Sequence, residues 1–381
     1  WGYYYFPTVV RYARTCGVTT YGMTGRFKAS WADFGGLKLP VQLETEMAGI
    51  VAHAARCDIG DQMPPGGRLD PAVYHVIGRC YARIKALEPY LEGAAPVTEA
   101  AIVTGGLPLE KPSTEGNYGL LKLLMESRVQ FDLVEPASLW ERYALVVLPD
   151  DMPVSRILAE RLRAFVAGGG AVIASHRSGL IEGEEKSWLE PYGLIYAGMS
   201  PYKPAYMIPR TDMTGDIPTY EYALYEGASQ WKAEAPSTVL AQLGEPAFQR
   251  GPKHYTSHAQ TPFEKATEYA AVARSGRVAL FGFPLGLSYY NQGYWIYRQA
   301  FQKALREVLP VGLVESNAPL SAEITLTHQP KQKRWMAHIV NFSPLRQTAR
   351  HPAFLEDPIP LTDVRVRVNL ALGQVKARAV V

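Results

Sequence analysis

Two polar segments near the start of the chain carry side chains suited to binding and cleaving a sugar. The first spans residues 22–38 and the second residues 57–62. An indole ring stacks on the apolar face of a pyranose, while guanidinium, amide and carboxylate groups hydrogen-bond to its hydroxyls. The groups of these types are Thr24, Arg26, Trp31 and Asp33 in the first segment and Asp58, Asp61 and Gln62 in the second.

These side chains predict a site for glycoside hydrolysis, which requires two carboxyl groups flanking the bond. Asp33 and Asp61 are the carboxylates best placed to form the pair. Another interpretation stays open, in which Asp33 caps a loop and Asp61 begins a turn rich in proline. The predicted substrate-binding residues in these segments are Thr24, Arg26, Trp31 and Gln62.

Each polar segment follows a short predicted strand and precedes an amphipathic helix. Strand, loop and helix repeated in this order are typical of a parallel α/β barrel. Because the loops after barrel strands open on one face, we expect the two segments to converge. Only about two such units fit before the pattern changes. Residues 1–94 are therefore predicted to be the C-terminal part of a (β/α)8 barrel, whose first strands this sequence lacks.

The remaining sequence predicts two further domains. Residues 95–312 alternate continuous apolar strands with amphipathic helices, which favours a parallel sheet in a flavodoxin-like, three-layer domain interrupted by an insertion at about 185–265. Residues 313–381 contain three segments in which polar and apolar residues alternate, at 322–327, 335–341 and 364–368. This period of two predicts a small antiparallel β domain. The fold class is therefore α/β.

Two histidines are further candidates for substrate binding. His176 directly follows the predicted strand at 171–174, where open parallel sheets bind ligands. His258 lies in the long insertion, and long structured insertions are often functional. Ordinary loop histidines would look the same in sequence. An alternative enzyme would use His176 with Asp150 or Asp151.

Composition and cysteine positions exclude several function classes. The net charge of +3 over 381 residues indicates no nucleic-acid partner, and no apolar run is long enough to predict a membrane span. Cys16, Cys57 and Cys80 lack metal-ligand spacing and read as reduced thiols of a cytoplasmic protein. No cysteine lies in residues 95–312, so class I amidotransferase chemistry is excluded there. We predict neither a metal nor a cofactor.

Two motifs resemble those of the hypothetical glycosyl hydrolase 6 family. They are residues 22–38, GMTGRFKASWADFGGLK, and residues 59–71, IGDQMPPGGRLDP. Family members carry a barrel followed by a glutamine-amidotransferase-like domain, which is similar to the trimerisation domain of family 42 β-galactosidases. The resemblance implies hydrolysis of O-glycosidic bonds and self-association as a homo-oligomer, with a trimer as the expected form. Family 42 enzymes place a nucleophilic glutamate after the seventh strand, but no Glu occurs between Thr19 and Gln42, which leaves Asp33 nearest.

The sequence thus predicts a glycoside hydrolase with a carbohydrate substrate and without nucleic-acid or membrane partners. A non-catalytic oligomerisation or carbohydrate-binding protein is the main alternative, because an incomplete barrel cannot close its sheet edges.

Overall fold

The first part of the chain contains two parallel strands with helices before, between and after them. The computed structural model describes residues 4–104, 114–345, 354–370 and 378–380. Helix α2 begins with Pro40 at its first turn, and α3 begins after Asp70, whose side chain accepts a hydrogen bond from Ala72 N. These first elements are α1 (Tyr5–Ala13), β1 (Tyr21–Gly25), α2 (Pro40–Val51), β2 (Arg56–Gly60) and α3 (Pro71–Leu91).

Strands β1 and β2 pair in parallel, from Tyr21 opposite Arg56 to Gly25 opposite Gly60. Because α2 connects them, this is the β/α order that the sequence predicts. One face of the pair packs on helices through a buried cluster that includes Met47 of α2. The carboxyl ends of both strands lie at the same edge, so the two polar loops start side by side.

A mixed sheet of nine strands dominates the middle of the chain. The strands of this region are β4 (Ala100–Val103), β5 (Phe131–Val134), β6 (Leu145–Val147), β7 (Ala171–Ser175), β8 (Leu194–Met199), β9 (Ala205–Pro209), β10 (Tyr222–Leu224), β11 (Ser229–Ala233), β12 (Thr238–Pro246), β13 (Phe263–Ser275) and β14 (Val278–Phe281). The helices of this region are α4 (Thr114–Glu126), α5 (Arg156–Ala167), α6 (Thr211–Thr214), α7 (Leu285–Gln292) and α8 (Trp295–Val308).

The strand order of the sheet is β10-β9-β12-β13-β14-β7-β6-β4-β5, and β14, β7, β6, β4 and β5 pair in parallel. Helices α4, α7 and α8 pack on one face, and α5 packs on the other, which gives three layers.

The predicted α/β class is confirmed, but the insertion extends the sheet rather than merely interrupting it. After β13 the chain turns at Gly276, whose φ of +54° suits glycine, and returns as β14, which pairs antiparallel with β13. Strands β12, β9 and β10 then continue the sheet in antiparallel pairs. Strands β8 and β11 form a separate two-stranded sheet that supplies Trp231 to the core beside α5.

The C-terminal part forms two small antiparallel sheets. Strands β16 (Ala322–Gln329) and β17 (Arg334–Asn341) pair as the alternation predicts, and β3 (Ala95–Pro96) adds to β16. Strand β18 (Val366–Val368) instead pairs with β15 (Val314–Ser316). The periodicity identifies these strands but not their partners, because pairing depends on long-range packing.

A buried ionic cluster joins the first elements to the C-terminal sheet. Arg11 of α1 donates to Glu323 of β16 at 2.9 Å, and Nε2 of His53 lies 3.0 Å from the same carboxylate oxygen. Thr325 donates to the carbonyl oxygen of Ala52 beside this cluster. These contacts fix α1 and α2, and therefore the strands that carry the polar loops. None of the helices in the described parts of the chain is long and apolar enough to cross a membrane.

Candidate functional site

The loops after β1 and β2 are joined at their first residues. Arg26 N donates to the carbonyl oxygen of Gly60 at 3.1 Å, which continues the strand pairing into the loops. The predicted convergence of the two polar segments is therefore present. The site rests on a parallel strand pair, which is a rigid support.

Arg26 holds the two loops together from within. Its side chain is 3% exposed, and its Nε donates to Asp61 Oδ1 at 2.8 Å. Its Nη1 lies within 3.2 Å of the carbonyl oxygens of Asp33, Phe34 and Gly36. The guanidinium group also lies over the Phe27 ring. These contacts hold the first loop and Asp61 in place, and the predicted binding of substrate hydroxyls by Arg26 stays a prediction.

Trp31 lies across the carboxyl ends of both strands. Its ring covers Gly60 near the sulfur of Met23, and its edge contacts Phe27 with ring centroids 5.1 Å apart. Its Nε1 donates to Gln62 Oε1 at 3.2 Å, which links the two loops again. The residue remains 56% exposed. An indole that is fixed by two partners and open to solvent is a suitable platform for a sugar ring.

The Trp31 ring lies on the strand face that points away from the helices. A side-chain carbon at Gly22 would meet Phe6 of α1 and Ile50 of α2, so Gly22 faces the helix layer. Met23 faces the opposite side because successive strand residues alternate, and in a barrel that side is the interior. The Trp31 platform therefore stands at the mouth that a closed barrel would have.

Asp61 has one oxygen engaged and one available. Oδ1 accepts from Arg26 Nε and from Gln62 N, both at 2.8 Å. Within the described chain, no residue donates a hydrogen bond to Oδ2. The side chain is 9% exposed, which reflects the buried contact with Arg26. Asp61 can thus offer an oriented carboxylate oxygen, and its neighbour Gln62 links it to Trp31.

Asp33 stabilises the turn of the first loop. Its Oδ2 accepts from Ala29 N at 3.1 Å, and Asp33 N donates to Ser30 O. The carboxylate sits so close to Gly36 that a side chain there would overlap it. These contacts agree with the loop-capping interpretation. A catalytic role for Asp33 stays a prediction.

Thr24 faces the helix layer, where it contacts a carboxylate that sequence reasoning missed. Its hydroxyl donates to Glu46 Oε2 of α2 at 2.5 Å, and Lys38 Nζ donates to the same oxygen at 2.8 Å. This network fastens the end of the first loop to β1 and α2. The only signal in the sequence is a polar residue within an amphipathic helix, which ordinarily indicates solvent exposure.

The two candidate histidines lie elsewhere. His176 follows β7 with a φ of +51°, and its Nδ1 is 3.5 Å from Asp151 Oδ1. His258 is exposed in the insertion, where its backbone N donates to Thr256 Oγ1. In the part of the chain that the structure describes, no hydrogen bond or ion pair joins either histidine to the loops after β1 and β2.

Asp150 anchors helix α7. It accepts hydrogen bonds from Ser175 Oγ at 2.6 Å and from Leu287 N at 2.8 Å, at the start of α7. Burial raises its pKa, while these donors act in the opposite direction. The neighbouring His176 ring lowers the pKa of Asp151. A catalytic dyad here would use His176 and Asp151, while Asp150 is engaged in holding α7.

Comparison with known proteins indicates the family type. Residues 121–194 match the model of the β-galactosidase trimerisation domain. The whole chain is similar to α-L-fucosidase isoenzyme 2 from Paenibacillus thiaminolyticus, with 30% identity over 97% of this chain and a TM-score of 0.91. The two likenesses support a glycosidase-like family. No curated protein matches the sequence significantly.

Two β-galactosidases share the fold at lower identity. A GH42 β-galactosidase from G. stearothermophilus has 15% identity over 85% of this chain and a TM-score of 0.62. The enzyme from Bacillus circulans sp. alkalophilus has 16% identity over 86% and a TM-score of 0.60. At such identities the likeness shows the fold alone. This chain spans 57% of the fucosidase and 48% and 50% of the two β-galactosidases.

The match to a trimerisation domain also supports self-association of this chain.

Among residues 4–104, 114–345, 354–370 and 378–380, no three His, Cys, Asp or Glu side chains are grouped as metal ligands would be.

Proposed function

We propose that this chain is the C-terminal part of a glycoside hydrolase and that the loops after β1 and β2 form one side of its active site. The observation that carries the proposal is the Trp31 platform, linked through Gln62 to Asp61, whose Oδ2 is available. The reaction is hydrolysis of an O-glycosidic bond through an oxocarbenium-like transition state.

The roles follow from the contacts of each side chain. Trp31 stacks on the sugar, and the amide NH2 of Gln62 binds a hydroxyl because its oxygen already accepts from the indole. Asp61 supplies a carboxylate, and Arg26 orients it. Asp33 is the other candidate carboxylate, with its turn-bracing contact arguing for a supporting role.

If Asp33 only supports its loop, the second carboxyl group comes from barrel strands other than β1 and β2. Strands β1 and β2 each pair only with the other among the described residues, so each has an open edge. Closing a barrel requires further strands beside both edges. We therefore assign residues 1–94 to an incomplete barrel, residues 95–312 to the trimerisation-like domain and residues 313–381 to a C-terminal β domain.

An α-L-fucoside is the first substrate to test, and a β-D-galactoside is the second. The protein with 30% identity over 97% of this chain is named an α-L-fucosidase, whereas the β-galactosidases reach only 15% and 16%. L-fucose is 6-deoxy-L-galactose and belongs to the mirror-image series of D-galactose, but both pyranose rings have an apolar patch that suits an indole.

Self-association as a trimer belongs to the same proposal and rests on the domain match over residues 121–194. In that assembly His176 and His258 would bind sugar at the site of a neighbouring copy. The supporting observation is that, among the described residues, no hydrogen bond or ion pair joins either histidine to the loops after β1 and β2 of its own chain. Light scattering of wild-type protein gives the number of copies.

The test is hydrolysis of p-nitrophenyl α-L-fucoside and β-D-galactoside by the natural full-length protein, compared with its Trp31→Ala variant. We expect activity on one of them and a fall in kcat/KM of about tenfold in the variant, as for loss of one stacking contact. Wild-type inactivity on both, with retained monosaccharide binding, would favour the non-catalytic carbohydrate-binding alternative. Inactivity without sugar binding would refute both.

A further inference from the structure

Gly60, the last residue of β2, lies directly beneath the Trp31 ring. A side-chain carbon at this position would lie 2.6 Å from Cζ3 and 2.7 Å from Cη2 of Trp31. The sulfur of Met23 would be 3.1 Å away. Real side-chain carbons do not approach ring atoms this closely, so the ring occupies the space that any other residue would fill.

The backbone at Gly60 gives no other reason for glycine. Eleven glycines of the described residues have positive φ angles, and Gly60 is not among them. Gly60 pairs with Gly25 in the regular parallel ladder of β1 and β2. Any L-amino acid adopts that backbone conformation without strain. The requirement for glycine therefore comes from the approach of the indole.

We propose that Gly60 is a positioning residue of the sugar site: the absence of a side chain there sets the depth and tilt of the Trp31 platform. This inference rests on the proposed function, in which Trp31 stacks on a pyranose. It adds a residue that touches no substrate and that determines how close a sugar ring comes to the available oxygen of Asp61.

A methyl group at residue 60 would move the ring rather than the backbone. Cζ3 and Cη2 are at the far end of a side chain on a loop, and Trp31 is already 56% exposed. The ring can lift toward solvent, which breaks the 3.2 Å hydrogen bond to Gln62 and the edge contact with Phe27. Gly60→Ala should therefore impair sugar binding while the thermal unfolding midpoint changes little.

Gly35 provides a matched control in the loop of Trp31 itself. No atom lies within 4 Å of a side-chain carbon built on Gly35, and its φ is not positive. Gly35→Ala thus adds the same methyl group without touching the ring. Trp31→Phe serves as the spectral reference, because the chain has seven tryptophans and the difference spectrum isolates the emission of Trp31.

The experiment compares wild type, Gly60→Ala and Gly35→Ala as full chains by fluorescence and by calorimetric titration with L-fucose and D-galactose. We expect Gly60→Ala to shift the Trp31 emission to longer wavelength, to increase its quenching by acrylamide and to weaken sugar binding roughly three- to tenfold. Gly35→Ala should match wild type in all three measurements.

Unchanged Trp31 emission in Gly60→Ala would overturn the inference, and so would shifted emission with unchanged sugar affinity. If wild-type protein binds neither sugar, the proposed function fails and Gly60 has no role at a sugar site. A shift of the Trp31 emission in Gly60→Ala would then still show that Gly60 determines the position of the ring.

Discussion

Arg26 donates through Nε to Asp61 Oδ1 at 2.8 Å, and this pair connects the two loops of the candidate site. Both side chains are largely buried, and Nη1 of Arg26 contacts backbone carbonyls of the first loop. A planar guanidinium can satisfy several acceptors at fixed angles, which a lysine cannot. The position of the Asp61 carboxylate is thus coupled to the shape of the loop that carries Trp31.

Arg26→Met should destabilise the protein and disorganise the site. The variant keeps much of the side-chain volume but leaves Asp61 as a buried carboxylate without its cation, a loss that costs about 3–5 kcal/mol of unfolding free energy. Urea unfolding measures the change. Arg68→Met is the control, because Arg68 is exposed in the second loop. Equal stability of the two variants would show that the buried pair contributes nothing.

His53, which is buried against Glu323, and His338, which is partly buried on β17, predict a loss of stability in mild acid. Burial lowers the pKa of His53 from 6.5 to about 4, against the raising effect of Glu323, and burial also lowers the pKa of His338 to about 4. Below pH 6.5 the unfolded chain takes up protons that the folded chain does not, so stability is full above pH 6.5 and falls as the pH drops toward 4. Each histidine contributes on the order of 2 kcal/mol between pH 7 and pH 5.

Glu323 acts at lower pH and with the same sign. Burial alone would raise its pKa, but His53 and Arg11 hold the pKa at about 2, below the ordinary 4.5. Its contribution is present above pH 4.5 and is lost as the pH falls toward 2. The interval from pH 7 to pH 5 therefore reports mainly on the histidines.

Urea unfolding at pH 7 and at pH 5 tests the histidine prediction. His53→Asn should reduce the difference in unfolding free energy between the two pH values, whereas His75→Asn, at an exposed position of α3, should leave it unchanged. The same pH dependence in wild type and His53→Asn would contradict the assigned role.

Two helical glycines should respond in opposite directions to alanine. A side-chain carbon at Gly119 of α4 would lie 1.8 Å from the carbonyl oxygen of Gly286 in α7, so Gly119→Ala forces two backbones apart and should cost about 3 kcal/mol or more. Gly78 of α3 has no atom within 4 Å, and Gly78→Ala should stabilise by up to about 1 kcal/mol. Thermal unfolding of both variants checks the signs. A stabilising Gly119→Ala would contradict the close helix crossing.

Local sequence patterns predicted the elements but not all of their partners. The strand that includes Ile102 and the helix that includes Leu162 belong to the alternation of apolar strands and amphipathic helices that is predicted for residues 95–312. The pairing of β18 with β15 does not follow from alternation, because a period of two specifies a buried face and leaves the neighbour open. For the same reason, the sequence pattern did not predict that β13 and the strands beyond it extend the large sheet in antiparallel pairs.

For the candidate site, the sequence predicted the loops better than the individual roles. The convergence of the loops follows from strand order alone. Sequence spacing does not reveal that Arg26 donates hydrogen bonds to backbone carbonyls, or that Thr24 faces α2. Both facts depend on the direction in which a side chain points. The contact between Trp31 in the first loop and Gly60 at the end of β2 joins separate segments of the chain, so the sequence alone does not reveal it.

The most direct test of the sugar site is kcat/KM for p-nitrophenyl α-L-fucoside, or for the galactoside if that is the substrate, in the natural full-length protein with Asp61→Asn. Asparagine preserves the shape and the acceptor for Arg26 but removes the charge. We predict a fall of at least about 100-fold with an unchanged KM, as for loss of a catalytic acid or base, and only a small effect of Asp33→Asn. Activity of a folded Asp61→Asn enzyme within about threefold of wild type, a change of less than about 1 kcal/mol, would contradict the assignment of Asp61 and the site built around it.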